Sequence, residues 1–177
     1  VTVNIDVLLD ELLPVMFDED VLPQRVNHLD GAYLVATSAS NYYEGVTDAE
    51  VLAYYNEKKL TDDKPSWGLN SRLSKKDGVL CEETYKIGGR YSDCIEQIVF
   101  WLDEARKYAD DSKQEQVINL LTQYYRTGDL SVFDEYSISW VSQTETAVDF
   151  INGFIESYGD PLGMTGAWES IVNFKNI

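Results

Sequence analysis

Three consecutive helical patterns occupy residues 92–141, and they constrain the fold more than any other feature of the sequence. Each pattern repeats apolar residues at the three- and four-residue spacing of an amphipathic helix. The apolar positions are Ile95, Ile98, Val99, Leu102 and Ala105 in the first pattern, Val117, Leu120, Leu121 and Tyr124 in the second, and Phe133, Tyr136 and Trp140 in the third. Gly128 follows the second pattern, where a helix commonly ends. Because each apolar face needs a partner, we predict a packed helical body whose aromatic side chains form core rather than a ligand site.

Strand patterns flank this helical region on both sides. The segments Ser66–Leu73 and Val79–Ile87 lie on either side of Asp77-Gly78, a pair that favours the tight turn of a β-hairpin. Near the end of the sequence, Gly153–Tyr158 and Ala167–Phe174 are typical of two further strands, joined by a segment rich in turn residues. The sequence therefore predicts an α+β fold.

The whole of residues 1–177 fits one unit, with a mostly helical body over about 1–152 and strands over about 153–177. Thr47 and Glu50 form a capping box that predicts the start of a further helix. The remaining expectations are a helix over Ile5–Phe17 that Pro14 ends or kinks, an extended stretch over Gly31–Asn41, and a short helix opening at Thr144–Phe150.

The composition excludes several classes of partner. The formal net charge is −17 at pH 7, whereas nucleic-acid binding needs clustered Lys and Arg, so we expect no nucleic-acid partner. No run reaches the roughly 18 apolar residues of a membrane span, and we expect no membrane partner. Such acidity is typical of a solvated surface, and it also suits a cleft that attracts cationic groups such as a peptide amino terminus.

The two cysteines, Cys81 and Cys94, form neither a CxxC pair nor a disulfide framework. Free thiols fit a reducing compartment, so we predict a cytoplasmic protein. His28 is the only histidine, which excludes a zinc motif of paired histidines within this sequence. A Ser-His-Asp or Cys-His centre would also have to use His28, and no GxSxG motif accompanies it.

The segment GFIESY, residues 153–158, carries the candidate functional residues. In a regular strand Phe154, Glu156 and Tyr158 share one face, and the last two stand about 7 Å apart. A carboxylate holds an ammonium group through a charge-assisted hydrogen bond, and a phenol donates to a carbonyl or an oxyanion. Alternation alone also fits a plain polar surface. Glu156 and Glu169, on adjacent predicted strands, leave a carboxylate-pair glycosidase open as well.

The segment GFIESYGDPLGMTGAWESIV, residues 153–172, resembles a characteristic motif of the dipeptidyl peptidase III family of zinc exopeptidases. The matching positions are Gly153, Phe154, Ile155, Glu156, Tyr158, Asp160, Pro161, Gly163, Gly166, Trp168 and Glu169. The earlier segments NYYEGVT, SWGLNSRL, YKIGGRYSDCIEQIVFWLDEA and YYRTGDLSVFDEY resemble members from Bacteroides-like bacteria, in the same order. The resemblance therefore covers nearly the whole sequence.

The resemblance implies a portion of the lower, substrate-binding lobe of a larger two-lobed enzyme, upstream of its zinc motif. That lobe contains a β-barrel or sheet to which the strands here would belong. The enzyme removes dipeptides from peptide amino termini with zinc held elsewhere in the parent, so we expect no zinc on this chain and no activity of the chain alone. Carried over by motif, Glu156 binds the substrate's amino terminus and Tyr158 is catalytic. Phe154, Asp160 and Glu169 belong to the substrate-binding segment, where Asp160 shapes a turn.

The implied partners are peptides with free amino termini and the zinc-bearing lobe of the parent enzyme. Strand edges left unpaired in the fragment would favour self-association. A second interpretation remains open: a non-catalytic acidic module that binds peptides along the same strand.

Overall fold

The computed structural model describes residues 4–29, 31 and 33–175, so positions 1–3, 30, 32, 176 and 177 of the predicted unit lie outside the description. The helices described are α1 (Ile5–Phe17), α2 (Asp48–Thr61), α3 (Ser92–Ala105), α4 (Ser112–Thr127) and α5 (Leu130–Val141), with 3₁₀ turns at Arg106–Tyr108 and Ser157–Gly159. The strands are β1 (Tyr43–Glu44), β2 (Ser71–Lys76), β3 (Val79–Thr84), β4 (Val148–Glu156) and β5 (Ala167–Phe174). The predicted α+β class is confirmed.

The three central helices form the main core. Helix α4 begins at Asp111, whose carboxylate accepts a hydrogen bond from the Gln114 amide at 2.8 Å, and ends at Gly128, whose φ of 72° closes the helix in the left-handed region. Tyr124 and Tyr125 of α4 are fully buried, and the Tyr124 ring lies 4.6 Å from that of Phe133 in α5. The aromatic stripes are thus core, as their spacing predicted.

The predicted hairpin is also present. Strands β2 and β3 pair antiparallel from Ser71↔Thr84 to Lys76↔Val79, and Asp77 and Gly78 both take positive φ in the connecting turn. Strand β1 pairs in parallel with the edge of β2 that lies opposite β3, so the strand order of the sheet is β1-β2-β3.

A second, smaller core joins this sheet to α2. Its buried members are Tyr43, Val46, Val51, Tyr55 and Leu73. Helix α2 starts with the predicted capping box, since the Thr47 hydroxyl accepts from the Glu50 amide and the Glu50 carboxylate accepts from the Thr47 amide.

Strands β4 and β5 form a separate antiparallel pair, from Val148↔Phe174 to Glu156↔Ala167. The helix predicted at Thr144–Phe150 is wrong, because its second half belongs to β4. Pairing with the far end of β5 outweighs the local pattern there. The described strands form two small sheets, and their membership of a larger barrel stays a prediction.

Helix α1 has the predicted bounds, Ile5–Phe17. Of the two effects predicted for Pro14, an end of the helix does not occur, because α1 continues to Phe17 and the Asp18 amide donates to the Pro14 carbonyl at 2.9 Å. None of its residues is buried, and its apolar side chains face outward. Within the part of the chain described, no helix combines the length and apolarity needed to cross a membrane.

The extended stretch predicted at Gly31–Asn41 is wrong over residues 34–37, which form a turn. The Thr37 amide donates to the Tyr33 carbonyl at 3.0 Å. The Asp48 carboxylate accepts from the amides of Leu34 and Val35 at 2.8 and 2.9 Å, which holds the turn against the start of α2. Leu34 and Asp48 are 14 residues apart, so no local sequence pattern indicates their contact.

Candidate functional site

The segment that carries Glu156 departs from regular strand alternation. Phe154 pairs with Trp168 and Glu156 pairs with Ala167, so Ile155 is the extra residue of a β-bulge. Consecutive residues of β5 point to opposite faces, and paired residues share a face. Glu156 and Phe154 therefore lie on opposite faces of the strand pair, and the common face predicted for them is wrong.

Tyr158 lies beyond the strand, in the 3₁₀ turn Ser157–Gly159, and is 71% exposed. The predicted spacing along one strand does not apply, because β4 ends at Glu156. The ring of Tyr42 lies beside this turn, and its hydroxyl is 3.4 Å from where a Cβ on Gly159 would be. Burial is the largest cause that raises the pKa of Tyr42, followed by the Asp160 carboxylate and the neighbouring phenols of Tyr91 and Tyr158. The Tyr42 hydroxyl therefore stays protonated at neutral pH.

Asp160 organises the loop that follows. It is 1% exposed, and its carboxylate accepts hydrogen bonds from the amides of Leu162 and Met164, both at 2.9 Å, and Thr165 at 2.6 Å. The Tyr43 hydroxyl donates a fourth, at 2.7 Å. Because the Asp160 carboxylate is buried and already accepts these four hydrogen bonds, it cannot contact a substrate directly. The geometry fits the role predicted for it in shaping the turn.

The far end of this loop is held against both sheets. The Gly166 amide donates to the Leu69 carbonyl at 2.7 Å, and the Thr165 hydroxyl donates to the Ser71 carbonyl at 3.4 Å. A Cβ on Gly166 would lie 2.9 Å from backbone atoms of Phe154 and Ile155. Glycine at 166 therefore permits the loop to approach the bulge closely.

Two carboxylates beside the bulge have no partner among the residues that the structure describes. Glu169 pairs with Gly153 and so lies on the same face as Glu156 and Ala167. Both carboxylates are partly buried, and neither has a hydrogen bond or salt bridge to another of the described residues. Other glutamates, such as Glu82 and Glu83, are paired with Lys or Arg. The Glu156 and Glu169 carboxylates are therefore available to an external cation.

Phe154 belongs to the core and also forms part of a groove. It is 6% exposed and its ring lies 4.9 Å from that of Tyr85. The groove, of about 530 Å³, is bounded mainly by apolar and aromatic side chains from α3, β5 and the segments around them. Its aromatic members are Tyr42, Tyr85, Tyr91, Phe154 and Trp168. Tyr42 thus lies between the groove and the turn that carries Tyr158.

Comparison with known proteins assigns the family. The sequence profile described as "Peptidase family M49" matches residues 36–177. The chain belongs to peptidase family M49. The match includes every candidate residue above, from Tyr42 to Glu169.

Individual relatives of this M49 chain include dipeptidyl peptidase 3 of Rattus norvegicus, 32% identical over 88 residues, and that of Homo sapiens, 31% identical over 88 residues. Each alignment covers 50% of this chain and 12% of the relative. Among solved structures, DPP III from Caldithrix abyssi matches with a TM-score of 0.62 at 17% identity, covering 99% of this chain and 33% of that one. Dipeptidyl-peptidase III from Corallococcus sp. strain EGB matches with a TM-score of 0.61 at 19% identity, covering 77% of this chain and 25% of that one.

The described residues of the M49 chain do not fit a metal site. They contain no group of three or more His, Cys, Asp or Glu side chains placed to hold an ion. His28 is exposed beside a separate surface cavity lined by residues between 19 and 37. Any metal bound here would need ligands from outside the described part of this chain.

Sequence reasoning missed the tyrosines that support the candidate residues. Tyr42 and Tyr43 belong to the segment NYYEGVT, which contributed to the family resemblance without any role being assigned to it. Tyr43 lies 117 residues from Asp160, so no spacing within the sequence indicates their contact.

Proposed function

We propose that this chain forms the substrate-binding part of a dipeptidyl peptidase III enzyme, which removes dipeptides from the amino termini of peptides. The observation that supports this most is the family M49 match, which includes a partly buried Glu156 carboxylate without a partner among the described residues. The chain spans only about an eighth to a third of the relatives it matches, and the residues that the structure describes contain no group placed to hold a metal ion. We therefore propose that the chain alone is inactive.

In this proposal Glu156 binds the ammonium group of the substrate. A carboxylate is a strong partner for an ammonium group, and strongest where surrounding protein excludes part of the solvent. The net charge of −17 adds a favourable field for a cationic terminus. Fixing that terminus at one position sets how many residues reach the bond to be cleaved, which is what dipeptide release requires.

Tyr158 is the proposed catalytic residue of this chain. Its phenol is exposed, in the middle of the short 3₁₀ turn Ser157–Gly159, and has no hydrogen-bond partner among the described residues, so it can donate to the substrate near the scissile carbonyl. Glu169 shares the face of Glu156 and extends the acidic surface. Phe154 contributes through the groove that it lines, and Asp160 through the loop that it organises.

The proposal includes zinc, held in the parent enzyme by residues outside this chain, and a zinc-bearing lobe as the partner of this portion. It also includes a cytoplasmic location. Within the described residues β4 and β5 each leave one edge unpaired, which supports self-association of the isolated chain.

Product analysis of the full-length protein tests the proposal. We expect mass spectrometry to show stepwise release of dipeptides from a short peptide, and no release from the same peptide with an acetylated amino terminus. Peptide binding without any hydrolysis by the zinc-loaded full-length protein would instead support the acidic peptide-binding module. Removal of single residues, or equal cleavage of the acetylated peptide, would contradict the proposal.

A further inference from the structure

We infer that Tyr43 is a positioning residue for Tyr158, acting through Asp160. Tyr43 would not touch the substrate. Its hydroxyl would hold the loop that carries the catalytic phenol against the β1-β2-β3 sheet. The inference rests on the proposed function, because it concerns how Tyr158 is placed.

Tyr43 is a rigid point of attachment. It lies in β1, where it pairs with Leu73 of β2, and it is 7% exposed within the smaller core. The Leu73 amide donates to the Tyr42 carbonyl at 3.0 Å, which fixes the backbone immediately before Tyr43. The ring therefore has little freedom to follow a moving loop.

Asp160 transmits this attachment to the turn of Tyr158. Its own amide donates to the Ser157 carbonyl at 3.0 Å, which closes the 3₁₀ turn with Tyr158 in the middle. Its carboxylate is at the same time held by Tyr43 and by the amides of the following loop. Asp160 is thus joined to the fixed sheet on one side and to the turn of Tyr158 on the other.

The hydroxyl of Tyr43 remains a donor throughout the working pH range. Burial first, and then the adjacent Asp160 carboxylate, raises the pKa of Tyr43 well above its ordinary value. The hydrogen bond to Asp160 is therefore present at neutral and mildly alkaline pH.

A kinetic double-mutant cycle in the full-length enzyme tests the inference. Tyr43→Phe removes only the hydroxyl. We expect it to lower kcat about tenfold and to change KM less than about threefold, because a catalytic group displaced by a fraction of an ångström loses contact mainly in the transition state. In a Tyr158→Phe background the same substitution should change kcat less than about twofold, because the group that it positions is already gone.

Tyr55→Phe is the matched control. Tyr55 is also a buried tyrosine of the smaller core, and its hydroxyl lies 3.1 Å from that of Ser71, but within the described residues it forms no hydrogen bond with Asp160 or the loop that follows it. We expect Tyr55→Phe to leave kcat within about twofold of the unmodified enzyme. Asp160→Asn replaces one carboxylate oxygen, which accepts hydrogen bonds, with an NH2 group, which cannot accept them. We expect this substitution to lower kcat at least as much as Tyr43→Phe.

Four outcomes would overturn the inference. One is an equal loss of kcat from Tyr43→Phe in the presence and absence of the Tyr158 hydroxyl. Another is a loss of kcat in Tyr55→Phe as large as the loss in Tyr43→Phe, which would indicate a general effect on stability. The third is an unchanged kcat in Tyr43→Phe while Tyr158→Phe lowers it, and this result would leave the proposed function standing. If Tyr158→Phe itself leaves kcat unchanged, the proposed role of Tyr158 fails together with the inference.

Discussion

Glu50 is a single side chain that stabilises two elements. Its carboxylate accepts from the Thr47 amide in the capping box of α2, and it accepts from the Lys75 ammonium in β2 at 2.5 Å. The bond from Lys75, followed by those from Thr47, lowers the pKa of Glu50 to about 2. The ionised form is therefore favoured in the folded state. Its contribution to stability is fully present above the ordinary pKa and is lost as the pH falls through about 2.

Replacing the lysine should reverse much of this shift. In Lys75→Met we expect the pKa of Glu50 to rise toward its ordinary value of 4.5, because the largest cause of the shift has been removed. An NMR titration of the Glu50 side-chain carboxyl between pH 2 and 6 measures this. Lys76→Met is the control, since Lys76 pairs with Glu83 instead. A similar rise of the Glu50 pKa in both variants, or in neither, would contradict the assignment.

At the scale of elements, the turn between α4 and α5 depends on glycine. Gly128 has a φ of 72°, and a Cβ there would lie 2.6 Å from the Thr84 side chain in β3. Gly78 has a similar φ of 80°, but a Cβ there would have no neighbour within 4 Å. The two positions therefore share the backbone requirement and differ in the space available to a side chain.

Alanine at the two positions should separate these effects. We expect Gly78→Ala to lower the free energy of unfolding by about 1 kcal/mol through backbone strain alone. Gly128→Ala should lower it by about 2–3 kcal/mol, because overpacking against Thr84 is added. Urea denaturation of the two variants gives the comparison, and equal losses would show that the contact with Thr84 carries no cost.

How far each element could be predicted depends on where its determinants lie. The α4 and α5 helices, the β2–β3 turn and the capping box of α2 follow from neighbouring residues, and the sequence predicts all of them correctly. The start of β4 at Val148 and the bulge at Ile155 are set by pairing with β5, so the local pattern is wrong at both. The same holds for the site: Glu156 and Tyr158 stand out in the sequence, whereas the support from Tyr43 does not.

At the scale of the whole molecule, the described chain has two cores and a large exposed apolar surface. Helix α1 has no buried residue, and β5 exposes Ile171, Val172 and Phe174. Exposed apolar surface of this kind is typical of a face that another protein segment covers, and it fits the proposal that this chain is one part of a longer protein. The candidate residues lie in or beside the loop between β4 and β5, which is hydrogen-bonded to Leu69 and Ser71 of the β2 region.

The central claim is that Glu156 anchors the amino terminus of a peptide, and equilibrium binding to the full-length protein tests it most directly. The measurement is calorimetric affinity for one peptide with a free amino terminus and for its acetylated form, in the unmodified protein and in Glu156→Ala. We predict a loss of about tenfold to a hundredfold for the free peptide, which is the range for a charge-assisted hydrogen bond, and little change for the acetylated one. Equal losses for both peptides would contradict the claim.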